Sequence, residues 1–260
     1  MKLKRFMDEA YQGKVRRRKL ESCLGEVVFS LEDLAEKAGI KPSKDEIARL
    51  VPSDPSLLTQ LITSDPGKKY GVIWGYLSSI AAERGTEPLR LPARDYAGLE
   101  LSGGVIVLEK GADHVGERMH GGRIFLKGAA GDYLGQELSG GGIVAGSCND
   151  YAFRNMRGGW AVVLGDAGNF VGLGNNGGRI VIRGCTGARS GWLMRDGSLH
   201  IHGDAGDYLG LLMRGGKIQV LGRSGARAGW RMKGGTIEAN DWGPEKGAYV
   251  TGGQILGLDR

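Results

Sequence analysis

Two histidines, His200 and His202, flank Ile201 in a stretch with strand-like alternation, so both imidazoles fall on one face. Paired imidazoles are the beginning of a metal site. No third ligand stands near them, and a solvated outer face is the expectation. Asp204 and Asp207 lie in GDAGD, a turn resembling the glycine loops that cradle phosphates. No helix follows, so the context of a dinucleotide-binding loop is missing. Five methionines, Met119, Met156, Met194, Met213 and Met232, each stand two residues before a Gly-Gly or Asp-Gly pair. Leu138 holds the same place, and Asn175 is the exception. Such a column could bind a soft metal, but methionine adapts to irregular gaps and core filling is expected. Cys23, Cys148 and Cys185 lie far apart with no CxxC or Cys/His cluster. Neither a zinc site nor an iron–sulfur cluster follows. Lone thiols suit a reducing cytoplasm. No nucleophilic triad stands out, so no catalytic, cofactor-binding or metal-binding residue is assigned.

A second column runs His114, Tyr133, Tyr151, Phe170, Arg189, Tyr208, Arg227. Every member is aromatic, imidazole or guanidinium. On neighbouring rungs about 4.8 Å apart they would stack, with cation–π steps from Phe170 through Arg189 and Tyr208 to Arg227. This face suits partner docking or base stacking; a ladder that only stabilises stacking fits equally well. Beside it, Trp192 and Trp230 are hot-spot candidates if they face outward.

The elements that place these columns follow from a repeat. GDAGDYLG at 203–210 nearly copies GAAGDYLG at 128–135. Gly-Gly pairs start at 103, 121, 140, 158, 177, 215, 234 and 252, with Asp196-Gly197 filling the gap, so the period is 18 or 19 residues. Each unit carries a short alternating strand, such as Arg179-Ile180-Val181-Ile182, followed by glycine-punctuated bends. Units of this length, all strand and bend, predict a right-handed parallel β-helix, a solenoid whose stacked coils bury what one coil cannot. Glycines mark positive φ or close approach to a neighbour.

Coils come in two kinds. One reads Asp/Asn-aromatic-Leu/Val, as in Asp132-Tyr133-Leu134. The other reads Ala-Arg-small-Gly-Trp, as in Ala188 to Trp192 and Ala226 to Trp230. Trp appears only where the residue two before it is small, which suggests that both positions share one side of the wall. Coil three replaces glycines with Asn149 and Phe153, and Asn149 is the milder change because it tolerates positive φ. Coil eight inserts Pro244, which suggests part of an end cap.

Glycine numbers 48 of 260 residues, and 41 of those 48 fall after residue 97. The expected division is a helical extension over 1–97 and the β-helix over 98–260. Four short helices are expected in the first part: after the N-cap candidate Ser30, after Ser43, from Asp54-Pro55, and from Tyr70 to Arg84. They are too short to form a robust core alone. The basic run at 14–19, KVRRRK, reads as a solvated helix face. The net charge of +6 is mild, so no nucleic-acid partner is expected. No apolar run reaches membrane-spanning length, and the N-terminus lacks the apolar region of a signal peptide.

The units GDAGNFVG…NNGGRIVIRG and GDAGDYLGLLMRGGKIQVLG resemble the GXGXG-repeat family. They are most similar to the C subunit of formylmethanofuran dehydrogenase and of the related formyltransferase/hydrolase complex. GDYLGQELSGG at 131–141 also fits the C-terminal β-helix of the large glutamate synthase subunit, which acts with amidotransferase and synthase partners. The resemblance covers residues 98–257 and is strong for the repeat and weak for the branch. It implies a noncatalytic scaffold subunit of a one-carbon, formyl-transferring complex. The tungsten- or molybdenum-pterin, iron–sulfur or zinc centres would lie in partner subunits and none in this chain. A third reading is a stand-alone enzyme or ligand-binding module that uses the aromatic/Arg column.

Overall fold

The structure, a computed structural model, describes residues 30–39 and 41–258. Cys23 and the basic run at 14–19 lie outside the described residues. The chain divides into two compact units, one ending at Ile73 and the other starting at Trp74.

The first unit contains α1 (Leu31–Ala38), α2 (Lys44–Leu50) and α3 (Pro55–Thr63). The Ser30 side chain accepts from the Asp33 N–H, and Gly39, at φ 78°, ends α1. Ser43 and Glu46 close a reciprocal capping box on α2. The Ser43 N–H holds the Glu46 carboxyl below its usual range. Leu31, Leu34, Ile47, Val51, Leu58 and Leu61 are buried.

The second unit is a parallel β-solenoid of about nine turns. Ten strands pair in chain order: β1 (Leu89–Leu91), β2 (Val105–Leu108), β3 (Arg123–Ala129), β4 (Gly142–Ser147), β5 (Trp160–Val163), β6 (Asn176–Ile182), β7 (Asp196–Ile201), β8 (Lys217–Ser224), β9 (Thr236–Trp242) and β10 (Gln254–Gly257). Every pair is parallel and steps by one repeat, as in Ile106↔Ile124↔Ile143↔Ala161↔Ile180. Alternate strand residues enter the core. The methionine column is buried too, with Met119, Met156, Met194, Met213 and Met232 all at 0% exposure. Asn175, in the same column, is kept there by hydrogen bonds: Gly177 N–H and Gly178 N–H donate to its Oδ1, and its Nδ2 donates to Gly178 O. A buried amide is tolerated only when its polar atoms find partners.

The solenoid begins earlier than residue 98. β1 already pairs with β2, and most of α4 (Gly71–Arg84) belongs to the second unit. The reason is an open end. The first rung has unpaired backbone groups, and α4 supplies partners from Ser78, Ser79 and Glu83. Gly98 N–H donates to Ser78 Oγ at 2.9 Å, Ser79 Oγ donates to Leu99 O at 2.7 Å, and Ser102 N–H donates to Glu83 Oε1 at 2.7 Å. The approach is close enough that a Cβ on Gly75 would lie 2.6 Å from Tyr96 O.

The duplicated GDAGD turn is a rung-to-rung fastener. Asp113, Asp132, Asp150 and Asp207 each accept, through Oδ1, the N–H one repeat later, at 2.7–3.2 Å. Asn169 does the same for Ala188 at 2.9 Å. A parallel column runs through Asp166, Cys185 and Asp204, which accept from the N–H groups of Cys185, Asp204 and Arg223. The glycines leave room for these carboxylates: a Cβ on Gly131 would lie 2.0 Å from Asp113 Oδ1.

Two irregular coils resolve differently from expectation. Asn149 is not in the left-handed region, so its tolerance of positive φ plays no part. Phe153 is the residue that replaces a positive-φ glycine. It holds φ 59° with its side chain wholly buried, and its ring packs under Gly135. Coil eight is a full rung rather than a cap, since β10 pairs with β9 beyond it. Pro244 stands in the column whose N–H normally meets the preceding Asp. The preceding residue here is Ala226, which offers no acceptor, and proline has no N–H to satisfy.

Candidate functional site

The predicted ladder forms. Rings stack from His114 to Tyr133, Tyr151 and Phe170 with centroids 4.8, 5.1 and 4.7 Å apart and planes within 10°. Arg189 then lies 5.4 Å from the Phe170 ring and 5.7 Å from the Tyr208 ring, and Arg227 lies 5.5 Å from Tyr208. Arg227 also donates to the Tyr208 hydroxyl and pairs with Glu245 at 2.7 Å. Those two partners raise its pKa further, with Glu245 contributing most.

The ladder also has an earlier member. Tyr96 stacks on His114 at 4.7 Å. Asp95-Tyr96 repeats Asp132-Tyr133 and lies 18 residues before His114, a signal present in the sequence but hidden because no Gly-Gly pair precedes it.

Each ladder residue from Tyr96 to Arg227 is left-handed, with φ 60–64°. An L-residue prefers to avoid this region. What holds it there is a run of hydrogen bonds in which each N–H donates to the carbonyl before the next ladder residue. His114 to Asp132 at 2.9 Å and Tyr133 to Asp150 at 3.0 Å are two of them. Stacking adds about 0.5–1.5 kcal/mol per aromatic pair. Interior rings have both faces covered by their neighbours, so no face is left for a base to stack on.

Trp192 and Trp230 are partly exposed and lean on this ladder. Trp192 meets Phe170 at 5.9 Å, and Arg227 lies 5.2 Å from the Trp230 ring. They do not share a side with the small residues two before them, because Ser190 and Ala228 are wholly buried. Gly191 and Gly229, at φ 69° and 68°, break the two-residue alternation, so i and i+2 face opposite ways.

The turn wall that carries the ladder changes character along its length. Three and four residues after each ladder position, the early rungs carry Glu117-Arg118, Gln136-Glu137 and Arg154-Asn155. The later rungs carry Trp192-Leu193, Leu211-Leu212 and Trp230-Arg231, with Tyr249 69% exposed beyond them. The early end is a closed polar network. His114 Nδ1 meets Glu117 Oε2 at 2.6 Å, and Arg118 meets Glu100 at 3.2 Å and the Tyr76 hydroxyl at 3.3 Å. Burial raises the pKa of Tyr76 and Tyr96.

A second apolar surface lies on the outward sheet face. Val107, Phe125, Val144, Val162 and Val181 form one column across five rungs. Phe125 is 38% exposed, Trp160 39% and Leu164 50%. Trp160 lies over Gly142, where a Cβ would stand 2.1 Å from the indole, and it borders a shallow groove floored by Gly103, Gly122 and Gly141.

The other residues with chemical potential do not converge. His202 is exposed, and His200 Nδ1 meets Gln219 Oε1 at 3.2 Å on the same outer face. Among the described residues no three His, Cys, Asp or Glu side chains are placed to hold a metal ion. Burial pushes the Cys148 thiol up to about 12, while Cys185 is exposed. Among the described residues no helix is long and apolar enough to cross a membrane.

The class these features define is a helix-capped parallel β-solenoid with two apolar surfaces. No family model matches the chain, and no curated protein matches it.

Proposed function

We propose that this chain is a noncatalytic scaffold subunit that holds partner proteins in a one-carbon, formyl-transferring complex. The observation that carries the scaffold reading is the pair of apolar surfaces on different walls. One centres on Phe125, Trp160 and Leu164 of the sheet face, and the other on Trp192, Leu211, Leu212 and Trp230 of the turn wall. The first cluster is exposed and the second half-buried at the surface; apolar clusters that reach solvent suit protein contacts, and two of them suit two partners. Ten strands about 4.8 Å apart give a wall of roughly 43 Å, fastened at each rung. The one-carbon assignment rests on the resemblance of GDAGNFVG…NNGGRIVIRG to the C subunits of such complexes. On this reading the metal and pterin centres belong to the partners.

Gentle purification of the chain from its own cells, followed by mass spectrometry of the intact assembly, tests this. The expected result is co-purification of an amidohydrolase-like and a formyltransferase-like subunit. A stable monomer or homo-oligomer alone would overturn the scaffold reading. Recovery with a glutamine amidotransferase and a flavin synthase subunit would move the chain to the glutamate synthase type.

A further inference from the structure

We infer that the apolar half of the turn wall is the seat of an acidic amphipathic helix from a partner protein, lying along the solenoid axis. This inference rests on the scaffold reading above and names the chemistry of one partner.

The first argument is charge. The apolar centre, with Leu193, Leu211 and Leu212 between the two tryptophans, is bordered on one side by a cationic column. Six residues after the ladder positions from Tyr151 to Arg227 stand Arg157, Asn176, Arg195, Arg214 and Lys233, all exposed. Among the described residues none of those four cations has an ion-pair or hydrogen-bond partner for its side chain. Arg189 and Arg227 border the centre on the other side. No Asp or Glu occurs in residues 167–195 or 208–237. The nearest carboxylate at this corner, Asp196, accepts from the Gly197 N–H at 2.7 Å. Asp204 and Asp207 accept backbone N–H groups at the far corner. Arg227 already pairs with Glu245 at 2.7 Å, so it is the column of Arg195, Arg214 and Lys233 that calls for carboxylates from outside.

The second argument is spacing. Arg195, Arg214 and Lys233 stand on three successive rungs, about 4.8 Å apart. In a helix, residues three and four apart advance about 4.5 and 6 Å along the axis. Acidic residues at i, i+3 and i+7 of an axial helix thus keep pace with the three cations while its apolar stripe covers the leucines. An extended strand presents same-side residues about 6.8 Å apart and falls out of register.

Two other occupants fit less well. A second copy would set cations against cations, or meet early-rung carboxylates of which Glu100 and Glu117 are already held by Arg118 and His114. Single-stranded nucleic acid needs free ring faces, and the centre of this patch is aliphatic.

The test places p-benzoylphenylalanine at Leu212, and separately at Phe125 and Gln136, in the full chain within its native complex. Irradiation is followed by sequencing of the cross-linked peptides. The expected Leu212 product is a partner segment with acidic residues at i, i+3 or i+4 beside apolar ones, and none from Gln136. Reversing three cations (R195E, R214E, K233E) should lower that cross-link at least tenfold with an unchanged thermal midpoint. Cross-linking of Leu212 to this chain, to nuclease-sensitive material or to a segment without acidic periodicity would overturn the inference. Partners that co-purify and react only with Phe125 would overturn it while leaving the scaffold reading intact. Absence of any partner would overturn both.

Discussion

Replacing Asp207 with alanine removes one rung fastener and leaves its neighbours untouched. In the native chain Asp207 Oδ1 accepts the Ala226 N–H at 2.7 Å. A hydrogen bond to a charged acceptor is worth roughly 1.5–3 kcal/mol. Asp207 is exposed, so water can reach the freed N–H, and the expected loss sits below that range, at about 1 kcal/mol. For a folded unit of this size that corresponds to about 2–4 °C in thermal midpoint. Asp207→Asn keeps an acceptor in the same place, as Asn169 already does for Ala188 at 2.9 Å. It should lose less than half as much. Ala226→Asp should give no gain, because the facing residue is Pro244 and has no N–H to offer. In a Pro244→Ala background the same substitution should stabilise. Calorimetric melts of the full chain measure all four. An unchanged midpoint in Asp207→Ala, or a gain from Ala226→Asp with Pro244 in place, would refute the fastener argument.

Three further outcomes are expected. Phe153→Ala should lose about 3–5 kcal/mol of buried packing, and Phe153→Gly should be the more stable of the two by about 1 kcal/mol in urea titrations, because φ 59° penalises alanine. Burial raises the Cys148 thiol from its ordinary value near 9 to about 12, so the folded chain retains a proton that the unfolded chain gives up. That stability is complete below pH 9 and is lost at roughly 1.4 kcal/mol per pH unit between pH 9 and 12; Cys148→Ala should remove this part of the slope in urea titrations, and a Cys23→Ser chain should show one thiol reactive to Ellman's reagent when folded and two when unfolded. Ser78→Ala leaves the Gly98 N–H without its acceptor at a fully buried site, which should cost about 1–3 kcal/mol and accelerate hydrogen exchange at Gly98.

The repeat was legible because stacking imposes a strict period. A coil one residue too long would throw every inward side chain out of its column, so Gly-Gly spacing alone located the rungs. The helices were legible from local chemistry, as Ser30, Ser43 and Gly39 cap or stop them through their own side chains and φ values. The left-handed ladder was not. Tyr, Phe and Arg carry no preference for positive φ, and the conformation is imposed by hydrogen bonds to a rung 18 or 19 residues away. The expectation that Trp192 and Ser190 share one side of the wall fails for a related reason, since strand alternation does not extend through a turn containing a left-handed glycine.

The start of the solenoid was placed late because glycine density marks rungs, whereas its capping helix works through serines. A capping serine reads like any other until its partner rung is known.

These cases separate two kinds of departure from the repeat. Phe153 and Pro244 depart at positions facing the core or the rung junction, and each is matched by a compensating neighbour, Gly135 or Ala226. Such changes repair the fold. Trp192, Leu193, Leu211 and Leu212 depart from the polar letters of the early rungs at outward positions where the backbone is the same. The rung hydrogen bonds require no apolar residue there, and leucine at φ 55–56° gains no backbone comfort over asparagine. Apolar residues held at outward, conformationally unfavourable positions therefore find their reason outside the solenoid, in what the wall binds.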